Sequence, residues 1–145
     1  MDLTKEEIIR LIKKEKLLIT ILFFISTCFG SALIFLSDNQ IFLLVGLFCY
    51  MLAVLCLPKI NGAKQDIQDT KNNIFDDFSG KVEDIFPEKE NKETGRWIVL
   101  IKDNEGKKTY EYLLRNKINL AEGEQISIYT TKYTKIPTKI ERVVE

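Results

Sequence analysis

The sequence contains no histidine, and its three cysteines all lie within long apolar runs. The missing imidazole removes the most common general base and metal ligand of proteins. Cys28, Cys49 and Cys56 lack the paired spacing of a zinc site, and in apolar surroundings they act as small apolar side chains. The sequence also has no phosphate-binding glycine loop and no nucleophile elbow. We therefore expect a non-enzymatic protein with no catalytic residues, no metal and no cofactor.

The chain has no excess charge of either sign, since 21 lysines and arginines balance 21 aspartates and glutamates. The balance also holds locally, because residues 80–145 carry 13 cations and 12 anions. A protein that binds duplex nucleic acid needs a positive field along the phosphate backbone. We therefore expect no duplex nucleic acid as a partner.

Charge is also absent from two long apolar runs, residues 17–36 and 41–57, which have 20 and 17 residues. A helix of 20 residues is about 30 Å long, which matches the hydrocarbon core of a bilayer. The runs are separated only by Ser37, Asp38, Asn39 and Gln40. Four residues are too few to cross the membrane again, so both helices must meet at the same membrane surface. The pattern predicts an antiparallel transmembrane hairpin over residues 17–57, with the lipid bilayer as its first partner.

The cations predict the orientation of this hairpin. They precede and follow it but are missing from the short connection; they are Lys5, Arg10, Lys13, Lys14, Lys16, Lys59 and Lys64. The positive-inside rule then places both termini in the cytoplasm of a protein of the cell (inner) membrane. An alternative is that residues 25–28 form a lipoprotein signal, although Thr27 departs from the small residue that motif requires before Cys28. Cleavage there would place the soluble part outside.

The first 16 residues predict a cytoplasmic amphipathic helix next to the membrane. Thr4 and Glu7 have the spacing of a capping box, and an apolar side begins with Ile8. We interpret residues 1–16 as a juxtamembrane extension that sets topology. The alternative is an interfacial helix that grips anionic lipid through its basic side.

Small residues recur at helical spacing in both apolar runs, at Ser26 and Gly30 and at Gly46, Cys49 and Ala53. Small side chains allow two helices in lipid to approach closely. We expect these residues to pack the two helices together. The alternative is that they drive self-association or contact with another membrane protein.

Residues 58–79 predict a linker helix. Pro58, Asn61 and Gly62 are residues that interrupt helices, and they mark the membrane boundary. Ile60, Ile67 and Ile74 then repeat every seven residues. We expect this stripe to lie on the following domain, and the alternative is a coiled-coil seam between protomers.

Residues 80–145 predict a small all-β domain, because the apolar period changes to two. Five strands are expected, at residues 81–86, 96–102, 107–115, 125–131 and 138–144. Short strands without intervening helices predict a five-stranded barrel of the oligonucleotide-binding or SH3-like type. Its expected core is Val82, Ile85, Trp97, Val99, Ile101, Tyr112, Leu114, Ile126, Ile128 and Ile140.

One stretch of the β domain interleaves cations with aromatics and contains no acid. Tyr129, Lys132, Tyr133 and Lys135 are its candidate anion contacts, since such side chains stack bases and pair with phosphates. A small nucleotide is the ligand this pattern allows. The alternative is that the tyrosines pack the strands and the lysines protect exposed edges. Two acidic groups are Asp76 with Asp77, and Glu88 with Glu90 and Glu93. We interpret them as solvated charge, and the alternative is that they bind a divalent ion.

The order of these segments resembles two kinds of membrane protein. A two-helix hairpin followed by Ser79, Gly80, Lys81, Val82 and a five-strand domain is similar to short NfeD-type proteins. That resemblance implies an oligonucleotide-binding-fold barrel that serves as partner of a membrane scaffold protein. The layout also resembles two-helix, β-barrel effectors of antiviral signalling, which implies a barrel that binds a cyclic oligonucleotide and helices that disrupt the membrane. No ligand residue transfers from either family.

The sequence thus favours an adaptor whose cytoplasmic barrel binds a protein partner. A nucleotide-gated membrane effector is the first alternative. The second is a membrane-resident immunity protein that blocks a toxin by direct helix contact.

Overall fold

Two helices and one five-stranded antiparallel sheet make up the computed structural model, which describes residues 2–36, 39–88, 95–115 and 118–143. The helices are α1 (Lys5–Leu36) and α2 (Gln40–Lys71). The strands are β1 (Asp76–Pro87), β2 (Trp97–Asp103), β3 (Thr109–Leu114), β4 (Gln125–Thr130) and β5 (Pro137–Arg142). The predicted helical hairpin and five strands are therefore confirmed. Ser37 and Asp38 of the predicted connection lie outside the described residues.

Each helix has 32 residues and is therefore about 48 Å long. Helix α1 starts with the predicted capping box, in which the Thr4 backbone N–H donates to Glu7 Oε2 at 2.9 Å and the Glu7 N–H donates to Thr4 Oγ1 at 3.3 Å. These hydrogen bonds lower the pKa of Glu7. Helix α2 starts where the Asn39 side chain accepts from the Ile41 N–H. The juxtamembrane segment and first apolar run therefore form one helix.

Helix α2 runs through Pro58 to Lys71. The predicted separate linker helix over residues 58–79 is therefore replaced by the end of α2 and the start of β1. Proline alone would favour a break, because it lacks an N–H and crowds the preceding turn. Packing outweighs this preference, since Gly62, Ala63 and Asp66 are buried beyond the proline. Ile74 follows the helix and is exposed.

The two helices differ in burial along their lengths. Residues 17–36 and 41–57, here called the apolar hairpin, expose most of their large side chains. Only 11% and 17% of the most apolar window of each helix is buried, whereas the core helix of a soluble protein would be mostly covered. Residues 5–16 and 58–71, here called the stalk, are polar outside and pack against the segment between β4 and β5.

The predicted packing residues Ser26, Gly30, Gly46, Cys49 and Ala53 lie within the apolar hairpin. A Cβ atom built on Gly30 would lie 3.0 Å from the Gly46 carbonyl oxygen and 3.2 Å from Cys49 Cβ. Ser26 and Ala53 are buried. Ser31 and Tyr50 add a hydrogen bond of 2.6 Å between their hydroxyl oxygens. Backbone-to-backbone contact between α1 and α2 thus depends on the absence of side chains at the two glycines.

The strand order is β3-β2-β1-β4-β5. The long strand β1 belongs to two ladders: residues 76–81 pair with β4 and residues 80–87 pair with β2. Where the ladders overlap, a side chain on Gly80 would collide with the Lys102 carbonyl oxygen. Strands β3 and β5 approach each other, but no ladder joins them among the described residues. The sheet is therefore curled and open, whereas a closed barrel was expected.

The sheet encloses a core of Val82, Val99, Ile101, Leu114, Ile126 and Ile128. Trp97, Tyr112 and Ile140 pack on it as expected, together with Phe78, Ile118 and Leu120. A second apolar cluster joins the stalk to the sheet and contains Ile8, Leu11, Ile12, Ala63 and Ile136. The chain start also pairs with β5, because the Leu3 N–H donates to the Thr138 carbonyl oxygen at 2.9 Å. The N-terminus thereby covers the edge that β5 would expose.

Candidate functional site

A buried carboxylate joins α2 to the turn between β4 and β5. Asp66 is fully buried in the stalk. Its oxygens accept from the Tyr133 N–H at 3.0 Å, the Thr134 N–H at 2.6 Å and the Thr134 hydroxyl at 2.7 Å. These bonds satisfy turn amides that would otherwise be buried without partners, which is costly.

The same turn is pressed closely against the helix. A Cβ atom on Gly62 would lie 2.8 Å from Tyr133 Cβ, so the turn approaches α2 where that helix has no side chain. Inside the turn, the Ile136 N–H donates to Thr131 Oγ1 at 2.9 Å, and Lys135 adopts a positive φ of 53°. We call residues 131–136 together with Gly62 and Asp66 the junction.

The four candidate anion contacts of the sequence are not brought together. Tyr129 and Tyr133 line different cavities, and Lys135 lines a third. The Lys132 amine lies 5.6 Å from the Tyr133 ring centre. Lys135 Nζ is 3.1 Å from Asp76 Oδ2 and forms an ion pair. Lys132, Tyr133 and Lys135 therefore lie in the junction, whereas Tyr129 lies on β4.

Tyr129 belongs to a small surface network, and the cavity that it lines includes neither Lys132 nor Lys135. Its hydroxyl donates to Glu141 Oε2 at 3.1 Å, and Lys139 pairs with the same carboxylate. The hydrogen bond to Glu141 raises the pKa of Tyr129, and the hydrogen bonds from Lys139 and Tyr129 lower the pKa of Glu141. The Tyr129 hydroxyl is thus engaged within the protein.

A groove of about 500 Å³ lies between the start of β1 and strand β3. We call it the aromatic groove. The rings of Phe78 and Tyr110 have centres 4.6 Å apart, and those of Phe78 and Tyr112 have centres 6.2 Å apart. Tyr110 is 38% exposed. Burial, with a smaller contribution from Tyr110, raises the pKa of Tyr112.

Acidic side chains surround these rings. Asp76, Asp77 and Glu111 line the groove with a single cation, Lys135. Since Lys135 already pairs with Asp76, the charges of Asp77 and Glu111 are left without an ion pair in the described part of the chain. Aromatic faces and carboxylates both attract cations. The groove therefore suits a ligand that combines apolar area with positive charge.

The groove and the junction are adjacent, because Lys135 follows Thr134 in the same turn and reaches the start of β1. The sequence predicts Tyr110 in a strand and Tyr112 in the core of the β domain, but it identifies neither the groove nor Asp66 as a site. The available signal was an acid on the otherwise apolar or small side of the stalk, next to Ala63, Ile67 and Thr70. A charge at such a position requires buried partners.

The acidic pair Asp76 and Asp77 does not extend into a metal site. Over the described ranges, no group of three or more aspartate, glutamate or cysteine side chains could hold a metal ion. Glu90 and Glu93 of the second acidic group lie outside those ranges.

Compared with protein-family models, with curated proteins and with solved structures, this chain matches none of them. Its function must therefore be argued from the groove, the junction and the helices.

Replacing Asp66 with alanine should lower the free energy of unfolding by about 3 kcal/mol, because buried N–H and O–H donors lose their acceptor. The matched control is Asp69→Ala on the same helix, since within the described residues the Asp69 side chain accepts from Gln65 alone. That control should cost less than about 0.5 kcal/mol. Denaturant unfolding of the purified full chain, followed by fluorescence of the single tryptophan, Trp97, measures both. Equal losses would contradict a special role for Asp66.

Proposed function

We propose that this protein is a membrane-anchored adaptor whose cytoplasmic sheet binds a protein partner through the aromatic groove. In this proposal residues 17–36 and 41–57 cross the cell membrane as a hairpin, and both termini lie in the cytoplasm. The observation that carries the proposal is the groove itself, an open aromatic surface with unpaired carboxylates, held on a stalk directly beside the apolar hairpin.

Membrane insertion is supported by the exposure of the apolar hairpin. Leu18, Phe24, Phe29, Leu44 and Val54 are each more than half exposed. Contiguous apolar surface on this scale is costly in water and is typical of a lipid-facing surface. The stalk carries the flanking lysines and arginine, which supports a cytoplasmic location for the sheet.

The strand order supports an oligonucleotide-binding-type sheet over an SH3-like one. Strands β1, β2 and β3 form a meander and β4 returns beside β1, which is the Greek-key order. Oligonucleotide-binding domains are five-stranded, partly open Greek-key barrels. The open side between β3 and β5 fits that description.

The groove's charge favours a protein partner over a nucleotide. An anionic ligand would meet Asp76, Asp77 and Glu111, whereas a lysine or arginine side chain of a partner would pair with the last two and stack on Tyr110. We therefore rank the adaptor above the nucleotide-gated effector. The groove also borders the junction, because Lys135 lines the groove and follows Thr134, which donates to Asp66. A ligand in the groove would therefore contact the turn that Asp66 holds against α2.

The orientation is tested by cysteine labelling in intact cells. In a variant with Cys28, Cys49 and Cys56 changed to alanine, Gln40→Cys should react with a membrane-impermeant maleimide, because it lies at the outer end of the hairpin. Lys108→Cys, in the turn between β2 and β3, should react only after permeabilisation. Labelling of Lys108→Cys in intact cells would contradict a cytoplasmic sheet.

The groove is tested by photo-crosslinking. Benzoylphenylalanine placed at Tyr110 should give a discrete protein adduct in cells of the native host, and the same group at Lys108 should not. The double variant Asp77→Lys/Glu111→Lys should abolish the adduct, since it reverses the charge that attracts the partner.

Two results would overturn the adaptor. One is adduct formation at Tyr110 that the double charge reversal leaves unchanged. The other is a rise in melting temperature with nucleotides that disappears in Lys132→Glu/Lys135→Glu, which would support the effector instead.

A further inference from the structure

A second cavity, of about 410 Å³, lies where α1 meets the sheet, and Lys135 lines both this cavity and the aromatic groove. We call it the basic crevice. Helix α1 contributes Lys14, Glu15 and Leu18, and the ends of two strands contribute Arg96, Leu113 and Arg115. Arg96 directly precedes β2 and Arg115 directly follows β3, so both belong to the same end of the sheet.

The position of the crevice along α1 sets its depth. Leu18 is the second residue of the apolar hairpin, and Lys14 precedes it by one helical turn, about 6 Å. If residues 17–36 cross the membrane as proposed, this crevice lies at the level of the lipid headgroups. The inference below rests on that part of the proposed function.

The crevice has more positive charge than its own acids neutralise. Lys135 pairs with Asp76 and Arg96 lies 3.8 Å from Glu88. Among the residues that the structure describes, Lys14 and Arg115 form no ion pair, and Glu15 is the one acid lining the crevice. One net positive charge is thus left over at this place.

The pKa directions agree with crowded cations in a partly dry site. Burial lowers the pKa of Arg115, and the nearby charges of Arg96 and Arg10 lower it further, while Glu15 raises it. Burial raises the pKa of Glu15, against the opposing effect of Arg115. Like charges held together in this way are relieved by a bound anion.

An apolar patch lies beside the crevice on the outer face of the sheet. Phe86 pairs with Ile98 and Ile98 pairs with Leu113 across three adjacent strands. Phe86 is 37% exposed and Leu113 is 42% exposed. Aromatic and aliphatic side chains next to cations are typical of surfaces that rest in the membrane interface.

We propose that the basic crevice binds the phosphate of an anionic phospholipid in the cytoplasmic leaflet. Lys14 and Arg115 pair with the phosphate oxygens, and Phe86, Ile98 and Leu113 rest among the lipid glycerol and upper acyl groups. Arginine is suited to this role because its guanidinium can form two parallel hydrogen bonds to a phosphate. A lipid occupant, rather than a soluble anion, follows from the depth set by Leu18 and from the apolar patch.

The full chain in neutral detergent provides the test. Phosphatidylglycerol and phosphatidylcholine are titrated separately into the micelles, and inorganic phosphate is titrated in a third arm. Thermal unfolding is followed by fluorescence of Trp97, which adjoins Arg96 in the sequence. Phosphatidylglycerol should raise the melting temperature, and neither phosphatidylcholine nor inorganic phosphate should match it.

The variant Lys14→Gln/Arg115→Gln should bind phosphatidylglycerol about 25-fold more weakly, since each cation near an anionic lipid surface contributes about fivefold in affinity. The lipid concentration that gives half of the rise in melting temperature should therefore increase by the same factor. Lys108→Gln is the matched control, because Lys108 lies beyond the opposite end of β2 from Arg96, and it should respond like the unchanged chain. Equal shifts with both lipids, or an unchanged response of the double variant, would overturn the proposal. A full response to inorganic phosphate would also overturn it and would indicate a soluble anion.

Failure of this proposal and failure of the adaptor can be told apart. The variant Lys14→Gln/Arg115→Gln keeps the apolar hairpin and the aromatic groove. The labelling of the introduced cysteines and the adduct at Tyr110 should therefore be unchanged when these two substitutions are added. If the protein shows the expected labelling and the Tyr110 adduct but no preference for phosphatidylglycerol, lipid binding at the basic crevice is refuted and the adaptor is not.

Discussion

The contact between Asp66 and the β4–β5 turn is the interaction on which the arrangement of the molecule depends. A charged side chain is fully enclosed only where donors replace its water, and Tyr133 and Thr134 provide those donors. Gly62 lets the turn approach, and Ile136 enters the apolar cluster of the stalk. The sheet therefore stands in a defined position on the helices instead of being joined to them by a flexible linker.

This position gives meaning to the two cavities beside Lys135. The aromatic groove lies at the start of β1, beyond the end of α2, whereas the basic crevice includes Leu18, the second residue of the apolar hairpin. One turn of chain borders both cavities, and Asp66 anchors that turn to α2. Under the two proposals, a partner in the groove and a lipid in the crevice would therefore contact the same short segment.

The sequence was sufficient where a signal is local or periodic. Hydropathy located both helices, because their side chains share one apolar environment over a long run. Alternation located all five strands, because successive side chains of a strand point to opposite faces of the sheet. The predicted start of a separate helix at Pro58 is wrong, because α2 continues through this residue. The free-energy cost of a proline in the helix is smaller than the stabilisation from burying Gly62, Ala63 and Asp66 in the following turns. Closure of the barrel was also expected, but pairing between β3 and β5 depends on distant segments.

The sites were harder to predict, for a related reason. Asp66 and Tyr133 are 67 residues apart, and the aromatic groove combines β1 with β3, which are not neighbours in the sheet. Neither pairing leaves a pattern in any short stretch of sequence. Conversely, a local pattern in the sequence is formed by Tyr129, Lys132, Tyr133 and Lys135. Tyr129 lies on β4 and the other three lie in the junction, where Tyr133 and Lys135 line different cavities.

The central claim is that the junction holds sheet and helices as one unit, and amide hydrogen exchange of the full chain in lipid nanodiscs tests it most directly. The amides of Tyr133 and Thr134 lie in a turn, yet the account predicts that they exchange as slowly as those of Ile126 and Ile128 in β4. Exchange as fast as in the exposed turn at residues 104–107, with β4 still protected, would contradict it and would mean that the sheet moves independently of the stalk.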